Sequence, residues 1–361
     1  MAGGPEQGVV GAGGAAGAPV RRLVKAVLSL VLVVGIFYFL GQRIDFGQVW
    51  AQIGAMTVLE LSVLGGIAGW NLLTYAFVWM AVTPGLSFGR AMVMTQSTTA
   101  VSNTVPGGAA IGIGMTYSML GAWGYSRSRT TTAVLVSGVW NSFIKLGLPV
   151  LALGAVALLG SPGGGRVAAA LAGLGALVAA VVVFAVMLRS EQMAGRIGLW
   201  AGAAASRLLR LARRAPVSGW EIATVRFRAR TVDLLARRWA PITVSSLLSH
   251  LSLYLVLLVA LRQVGVGEPA VSWAEILAVF AFARLATAIP FTPGGVGVVE
   301  AVLIAGLVAA GGVATQVTAA VLVYRALTWG LPVLLGALTY LWWRRRALTG
   351  LLNPTQKATQ P

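Results

Sequence analysis

The sequence predicts an all-α, polytopic membrane protein, and three observations carry this prediction. Of its 361 residues, 58% are hydrophobic and only 10% are charged, which is far from the balance of a soluble domain. Long apolar runs recur, and several can cross the ~30 Å hydrocarbon core of a bilayer as helices of about 20 residues. The basic residues lie between these runs, where they set the orientation of a chain in the membrane.

The composition also excludes several kinds of function. A formal net charge of +18 would suggest nucleic acid in a soluble chain. Here the basic residues flank apolar runs and suit contacts with anionic lipid headgroups, so we expect membrane lipids as partners and no nucleic acid. With no cysteine and a single histidine, we expect neither a metal site nor a cofactor. The sequence leaves the oligomeric state open.

The chain is predicted to form a single membrane domain over residues 20–346. We expect residues 1–19, which are rich in Gly and Ala, to be a disordered tail, and residues 347–361 to be a C-terminal tail. Arg21, Arg22 and Lys25 lie at the start of the apolar run at 24–41, which lacks a small-residue cleavage site before Gln42 and Arg43. It is therefore predicted to be a retained anchor and not a signal peptide.

The apolar runs predict six full spans and two broken ones. The full spans lie at residues 24–41, 57–82, 130–159, 167–188, 241–261 and 316–343. Two further regions, 88–122 and 273–310, are each interrupted by Pro-Gly-Gly and predict re-entrant hairpins of two half-helices. The residues predicted to form the breaks are Pro106, Gly107, Gly108, Pro290, Pro293, Gly294, Gly295 and Gly297. Hydrocarbon cannot satisfy the backbone groups that a break exposes, so both breaks should face protein or a water-filled cavity.

The basic residues predict the topology. If the N-terminus is cytoplasmic and each hairpin returns to its own side, 21 of the 27 Lys and Arg residues lie in the cytoplasm. This asymmetry predicts an inner (plasma) membrane protein with both termini cytoplasmic. Most of it comes from the basic loop at residues 189–238, which suits either helices lying against anionic headgroups or a solvated connector.

The two halves of the chain resemble each other. "VPGGAAIGIG" leads to "TTAVLVSGVW" and "GLPVLALGA", as "TPGGVGVVEA" leads to "TAAVLVYRAL" and "GLPVLLGAL". Low complexity shared by two Ala- and Val-rich halves is the alternative explanation, but the positions of Pro and Gly match as well as the apolar filling. Repeat one (57–159) and repeat two (241–343) would be inverted in the membrane, an arrangement typical of transporters.

The polar residues at membrane depth are the candidate site. A charge at a helix centre costs roughly 2.5–3.5 kcal/mol on insertion scales, so such residues should face each other or a ligand. The predicted substrate-binding residues are Asn103, Thr104, Asn141, Lys145, Arg284, Glu300 and Arg325. Two interpretations remain open. Glu300 pairs with Arg284 or Arg325 as a structural lock, or the arginines bind a phosphate while Glu300 meets a cationic group or carries a proton.

The stretch "IPFTPGGVGVVE", followed by "VLVYRALTWGLPVLLG", resembles the lysylphosphatidylglycerol synthase transmembrane-region family. The resemblance covers roughly residues 20–345. It implies lipid handling, in which an amphipathic phospholipid or a polyprenyl-linked lipid moves between leaflets. The positions carried over by match to the motif are Pro290, Pro293, Gly294, Gly295, Gly297, Glu300 and Arg325.

Two departures from the family qualify this expectation. The first break, "PGGAAIGIG", lacks the charged residues that many relatives have there. Only residues 347–361 follow the membrane domain, so we expect no soluble aminoacyl-transfer domain and no synthase activity. The prediction is therefore a flippase or transporter for a lipid with an anionic headgroup, and not an enzyme. A small-solute secondary transporter and a membrane enzyme acting on polyprenyl-phosphate lipids are the alternatives.

Overall fold

The computed structural model describes residues 45–105, 107–159, 164–211, 215–216, 218–287 and 292–352, and the side chains of a few helical residues in these ranges are not described. Over these ranges the secondary structure is entirely helical, in agreement with the predicted all-α class. Several predicted features lie outside the described residues: the tail at 1–19, the span at 24–41, the end of the C-terminal tail at 353–361, Pro106 and Pro290.

The helices follow one another with short connections. In chain order they are α1 (Phe46–Gly54), α2 (Val58–Val82), α3 (Phe88–Thr104), α4 (Gly108–Ala122), α5 (Arg127–Leu159), α6 (Gly164–Arg189), α7 (Glu191–Leu211), α8 (Trp220–Gln263), α9 (Trp273–Ala286), α10 (Val298–Ala309), α11 (Ala314–Arg325) and α12 (Leu331–Leu352). A 3-10 turn (Pro293–Gly295) precedes α10, and a π-helical turn (Ala326–Gly330) joins α11 to α12.

Four helical segments are long and apolar enough to cross a membrane. They are α2, α5, α8 and the continuous run from α11 into α12. These four coincide with the predicted spans at 57–82, 130–159, 241–261 and 316–343. Helix α6 covers the predicted span at 167–188, but its described apolar part, Leu174–Arg189, is shorter. The chain is therefore a multi-pass membrane protein by the length and composition of its helices.

Both regions broken by Pro-Gly-Gly fold as helical hairpins. In the first, α4 runs back along α3, and Gly108 packs directly onto the backbone of Val101 and Ser102, where a side chain would not fit. In the second, α10 runs back along α9, and a Cβ on Gly306 would lie 2.6 Å from Cγ1 of Val279. Small residues thus allow the arms of each hairpin to approach closely.

Each hairpin packs on the last long helix of the other half of the chain. Helix α3 packs along α12, where Gly336 abuts the backbone of Gln96, and α9 packs along α5. Helices α2 and α8 pack against each other in antiparallel orientation. Their contacts include a hydrogen bond from Asn71 Nδ2 to Ser252 Oγ (2.7 Å) and one from Gln263 Nε2 to the carbonyl of Glu60 (3.2 Å).

The described part of the basic segment at 189–238 is largely helical, and helices were one of the two predicted interpretations of it. Helix α7 occupies its first half, and α8 begins at Trp220 and continues through Pro241 without a break. A proline inside a helix removes one backbone donor, and the packing of α8 on α2 and α7 compensates for it. The 44 residues of α8 rise about 66 Å, roughly twice the hydrocarbon thickness, so its first half extends outside the bilayer core.

Candidate functional site

A cavity of about 190 Å³ lies between the tips of the two hairpins, beside the packed pair of α2 and α8. Helices α3, α9, α10 and α11 and the two irregular turns contribute to its wall. Its polar side chains include Gln96, Thr99, Asn103, Arg284, Thr287 and Arg325. Broken helices at membrane depth are tolerated around such a polar space, because it can satisfy the backbone groups that the breaks release.

The two hairpin tips meet at Gly294. This residue has φ of +61°, a conformation that favours glycine. A Cβ at Gly294 would lie 3.2 Å from Cβ of Asn103 in the first hairpin and would collide with the indole nitrogen of Trp329. The glycine is therefore required both by its backbone conformation and by the close contact between the hairpins.

The π-helical turn brings Thr328 and Trp329 to the cavity. Pro332 has no N–H to offer to the carbonyl of Thr328, which is four residues earlier, so a regular α-helical bond cannot form there. The helix widens into a π turn over Ala326–Gly330, a local change that is frequent at functional sites. The sequence "RALTWGLP" contains this proline, but the proline alone did not reveal that Trp329 would face the hairpin tips.

Arg325 and Glu300 form a buried ion pair. Arg325 Nε donates to Glu300 Oε1 at 2.7 Å, and its Nη2 donates to the carbonyl of Gly294 at 3.1 Å. Glu300 is only 4% exposed and lies in the first turn of α10, where the helix dipole favours a negative charge. The guanidinium also lies 5.9 Å from the ring centroid of Trp329. Arg325 thus ties α10, the 3-10 turn and the π turn together.

Arg284 has no such partner. It lies in the last turn of α9, is half-buried and lines the cavity. Its Nε is buried without a hydrogen-bond partner, and no carboxylate pairs with its guanidinium among the described residues. Glu300 therefore neutralises Arg325 and leaves Arg284 uncompensated. An uncompensated guanidinium that lines a cavity can bind an anion.

Lys145 reaches the same place from α5. Its Nζ donates to Thr287 Oγ1 at 3.0 Å, and Thr287 lines the cavity one helical turn after Arg284. Lys145 is half-buried and forms no ion pair within the described part of the chain. Among the described residues, Arg325 is paired with the carboxylate of Glu300, whereas Lys145 and Arg284 have no carboxylate partner. Two positive charges at the cavity are therefore left without a counter-charge.

The structure brings together five of the seven predicted site residues. Asn103, Arg284 and Arg325 line the cavity, Glu300 holds Arg325, and Lys145 contacts the wall through Thr287. The other two are not part of the wall. Thr104 is exposed and donates to the carbonyl of Ala100 at 2.7 Å, whereas Asn141, one turn before Lys145, does not line the cavity.

Several residues of the cavity wall were not among the predicted site residues. They are Gln96, Thr99, Thr287 and Trp329. Gln96 and Thr99 stand out in the sequence as part of the polar stretch "TQSTTAVSNT", and the spacing of i, i+3, i+7 from Gln96 to Asn103 would have placed all three on one face of α3. Thr287 and Trp329 join the wall through packing between helices, which no local pattern signals.

The comparisons with known proteins agree with this architecture. Residues 26–336 match the family model described as the lysylphosphatidylglycerol synthase TM region. None of the curated proteins matches the chain significantly. The matched range includes both hairpins, the helices α2, α5 and α8, and the first six residues of α12, and therefore every residue that lines the described cavity.

Proposed function

Because the chain belongs to the lysylphosphatidylglycerol synthase TM region family, we propose that it is a lipid flippase, which moves a phospholipid or a polyprenyl-linked lipid with an anionic headgroup between leaflets. The observation that carries the proposal is the uncompensated Arg284 at the cavity. The headgroup phosphate binds there, beside Lys145 and the amide of Asn103, while the acyl chains stay in the surrounding lipid.

The pairing of helices supports two inverted repeats. In this proposal α2 corresponds to α8, the α3–α4 hairpin to the α9–α10 hairpin, and α5 to the run from α11 into α12. The contact of α3 with α12 then has its counterpart in the contact of α9 with α5. The contact between α2 and α8 joins two corresponding helices and is its own counterpart. Such a pairing is expected of a pseudo-two-fold axis in the membrane plane, about which the two hairpins enter from opposite sides as re-entrant elements.

The mechanism that follows is alternating access. The hairpin tips meet at Gly294 and Asn103, so movement of one repeat against the other opens the cavity to one leaflet and closes it to the other. The Arg325–Glu300 pair keeps the second tip rigid during this movement. The basic residues of α7 and of the first half of α8 support a cytoplasmic position for this end of the molecule in a plasma-membrane protein.

The side wall of the cavity favours a lipid over a small solute. Tyr75 belongs to the wall and is also 36% exposed on the membrane-spanning helix α2. Tyr75 therefore lies both at the cavity and at the surface of the protein, and this supports a path by which a lipid keeps its chains outside. The wall also favours transport over catalysis, since none of the described residues that line it is an acid or a histidine able to serve as a general base.

The test is a translocation assay with the full chain in proteoliposomes. Vesicles carry a trace of fluorescent phosphatidylglycerol, lysylphosphatidylglycerol or polyprenyl phosphate, and a membrane-impermeant quencher reports the lipid that reaches the outer leaflet. We expect at least one of these phosphate-bearing lipids to equilibrate faster than in protein-free vesicles, and phosphate-free lipids to remain slow. If a phosphate-free glycolipid equilibrates as fast as the phospholipids, the proposed recognition of phosphate is wrong.

A further inference from the structure

A second cavity lies at the other end of the α2–α8 contact. Its volume is about 400 Å³, within the range of small-molecule binding sites. Phe77 and Met80 of α2, together with Leu86 of the connection to α3, form an apolar wall. Arg238 and Ser245 of α8 supply the polar groups. One charged side chain beside an apolar wall is an amphipathic arrangement, whereas polar and apolar side chains are mixed in the wall between the hairpin tips.

Arg238 has no counter-ion within the described part of the chain. Its neighbour Arg237 pairs with Asp233 at 3.2 Å, one turn earlier on α8, with both side chains more than 70% exposed. Arg238 is instead half-buried, lines the cavity and forms no hydrogen bond or ion pair with a described residue. A guanidinium held against an apolar wall without a carboxylate suits an anionic ligand.

The residues around Arg238 indicate where the cavity lies along the membrane normal, and this position indicates the class of ligand. Arg238 and Trp239 directly precede the apolar part of α8, and Trp239 is 61% exposed, as expected for an aromatic anchor at the headgroup level. Helix α2 ends nearby, at Val82, so its last turns form the wall just inside this level. A ligand in the cavity would have its anionic group at the interface and its apolar part beside Phe77 and Met80.

We propose that this cavity, named here the Arg238 site, binds one anionic phospholipid of the adjacent leaflet. The phosphate pairs with Arg238, and the first carbons of an acyl chain lie along Phe77 and Met80. A free phosphate ion would leave the apolar wall unused. Fifteen residues of α8 separate Arg238 from Leu253 at the central cavity, about 22 Å along the helix, so the two sites are distinct.

The experiment is photo-crosslinking of the full chain in phosphatidylcholine nanodiscs. The discs contain a small fraction of phosphatidylglycerol with a diazirine near the start of one acyl chain, and crosslinked peptides are mapped by mass spectrometry. We expect crosslinks to the Phe77–Leu86 segment, a loss of at least fivefold in Arg238→Gln, and retention in Arg238→Lys. The matched control is Arg237→Gln, which removes the neighbouring exposed arginine and should leave the crosslinks unchanged.

Two results would overturn the proposal. One is equal labelling of this segment in Arg238→Gln and the wild type. The other is equal labelling by a phosphatidylcholine probe that carries the same diazirine, since this would indicate ordinary annular lipid. An Arg284→Gln variant separates the two sites, because it should retain the crosslinks even if it changes translocation. The proposal therefore stands or fails independently of the flippase function.

Discussion

Arg325 and Glu300 are joined by a 2.7 Å hydrogen bond between the end of α11 and the first turn of α10, and this pair determines which cation is left for a ligand. Glu300 is the only acidic residue that is buried among those described. Since its carboxylate faces Arg325, Arg284 remains without a counter-charge at the cavity. The structure thus pairs Glu300 with Arg325 as its counter-ion, and our proposal assigns the phosphate to Arg284.

Breaking this pair should destabilise the protein. Glu300→Gln leaves the Arg325 guanidinium buried without a counter-charge, and removal of one partner of a buried ion pair costs about 3–5 kcal/mol. We expect a clear drop in the midpoint of thermal unfolding in detergent. The control is Asp233→Asn, which breaks an exposed pair worth about 0–1 kcal/mol and should hardly change the midpoint. Equal midpoints for Glu300→Gln and Asp233→Asn would show that the buried pair is not a structural lock.

Gly294 should tolerate no side chain. Gly294→Ala combines an unfavourable positive φ with a collision against Trp329, so we expect a loss of at least about 1–2 kcal/mol and a lower unfolding midpoint. The matched control is Gly66→Ala in α2, where a Cβ meets no atom within 4 Å and alanine favours the helix. A Gly294→Ala protein as stable as Gly66→Ala would contradict the close contact of the hairpin tips.

The hydroxyl of Thr287 should be needed for rapid translocation, because it accepts a hydrogen bond from Lys145 and holds this lysine at the edge of the cavity. Thr287→Val keeps the shape of the side chain and removes this hydrogen bond, so we expect translocation to slow by about three- to tenfold, in line with the net contribution of about 0.5–1.5 kcal/mol from a typical hydrogen bond. Thr287→Ser keeps the hydroxyl and should retain most of the rate. If the valine and serine variants translocate equally well, Lys145 does not need this contact.

The absence of native cysteines allows a direct test of topology. Ala203→Cys places a thiol on the exposed side of α7, and Ala270→Cys places one in the exposed connection between α8 and α9. With an impermeant maleimide applied to intact cells, we expect only Ala270→Cys to be labelled, because α7 is predicted to be cytoplasmic. Labelling of Ala203→Cys from outside would reverse the proposed orientation.

The sequence anticipated those parts of the fold that depend on local chemistry. Four of the spans and both hairpin breaks follow from apolar length and from Pro-Gly-Gly, because these features act within one segment. The partner of Glu300 could not be chosen in advance, since Arg284 and Arg325 are both within 25 residues of it and only helix packing decides between them. Thr287 and Trp329 could not be predicted as cavity residues for the same reason, because helix packing brings them to the wall.

The continuous helix α8 is a second feature of the fold that the sequence did not predict. Its first half is rich in arginine and its second half is apolar, so the change in composition at Pro241 suggested the end of a loop and the start of a span. The composition of each half of α8 reflects its surroundings, which are water for the first half and lipid for the second. The helical backbone conformation nevertheless continues through both halves. Contacts with α7 and α2 stabilise the helix on either side of the proline.

The most direct test of the central claim is the translocation rate of Arg284→Gln in proteoliposomes, with the lipid that the wild type moves fastest. The account predicts a loss of at least tenfold relative to the wild type, partial activity in Arg284→Lys, and an unchanged rate in Arg237→Gln, whose arginine is exposed and paired with Asp233. A folded Arg284→Gln protein that moves the lipid at the wild-type rate would contradict the assignment of Arg284 as the phosphate-binding residue.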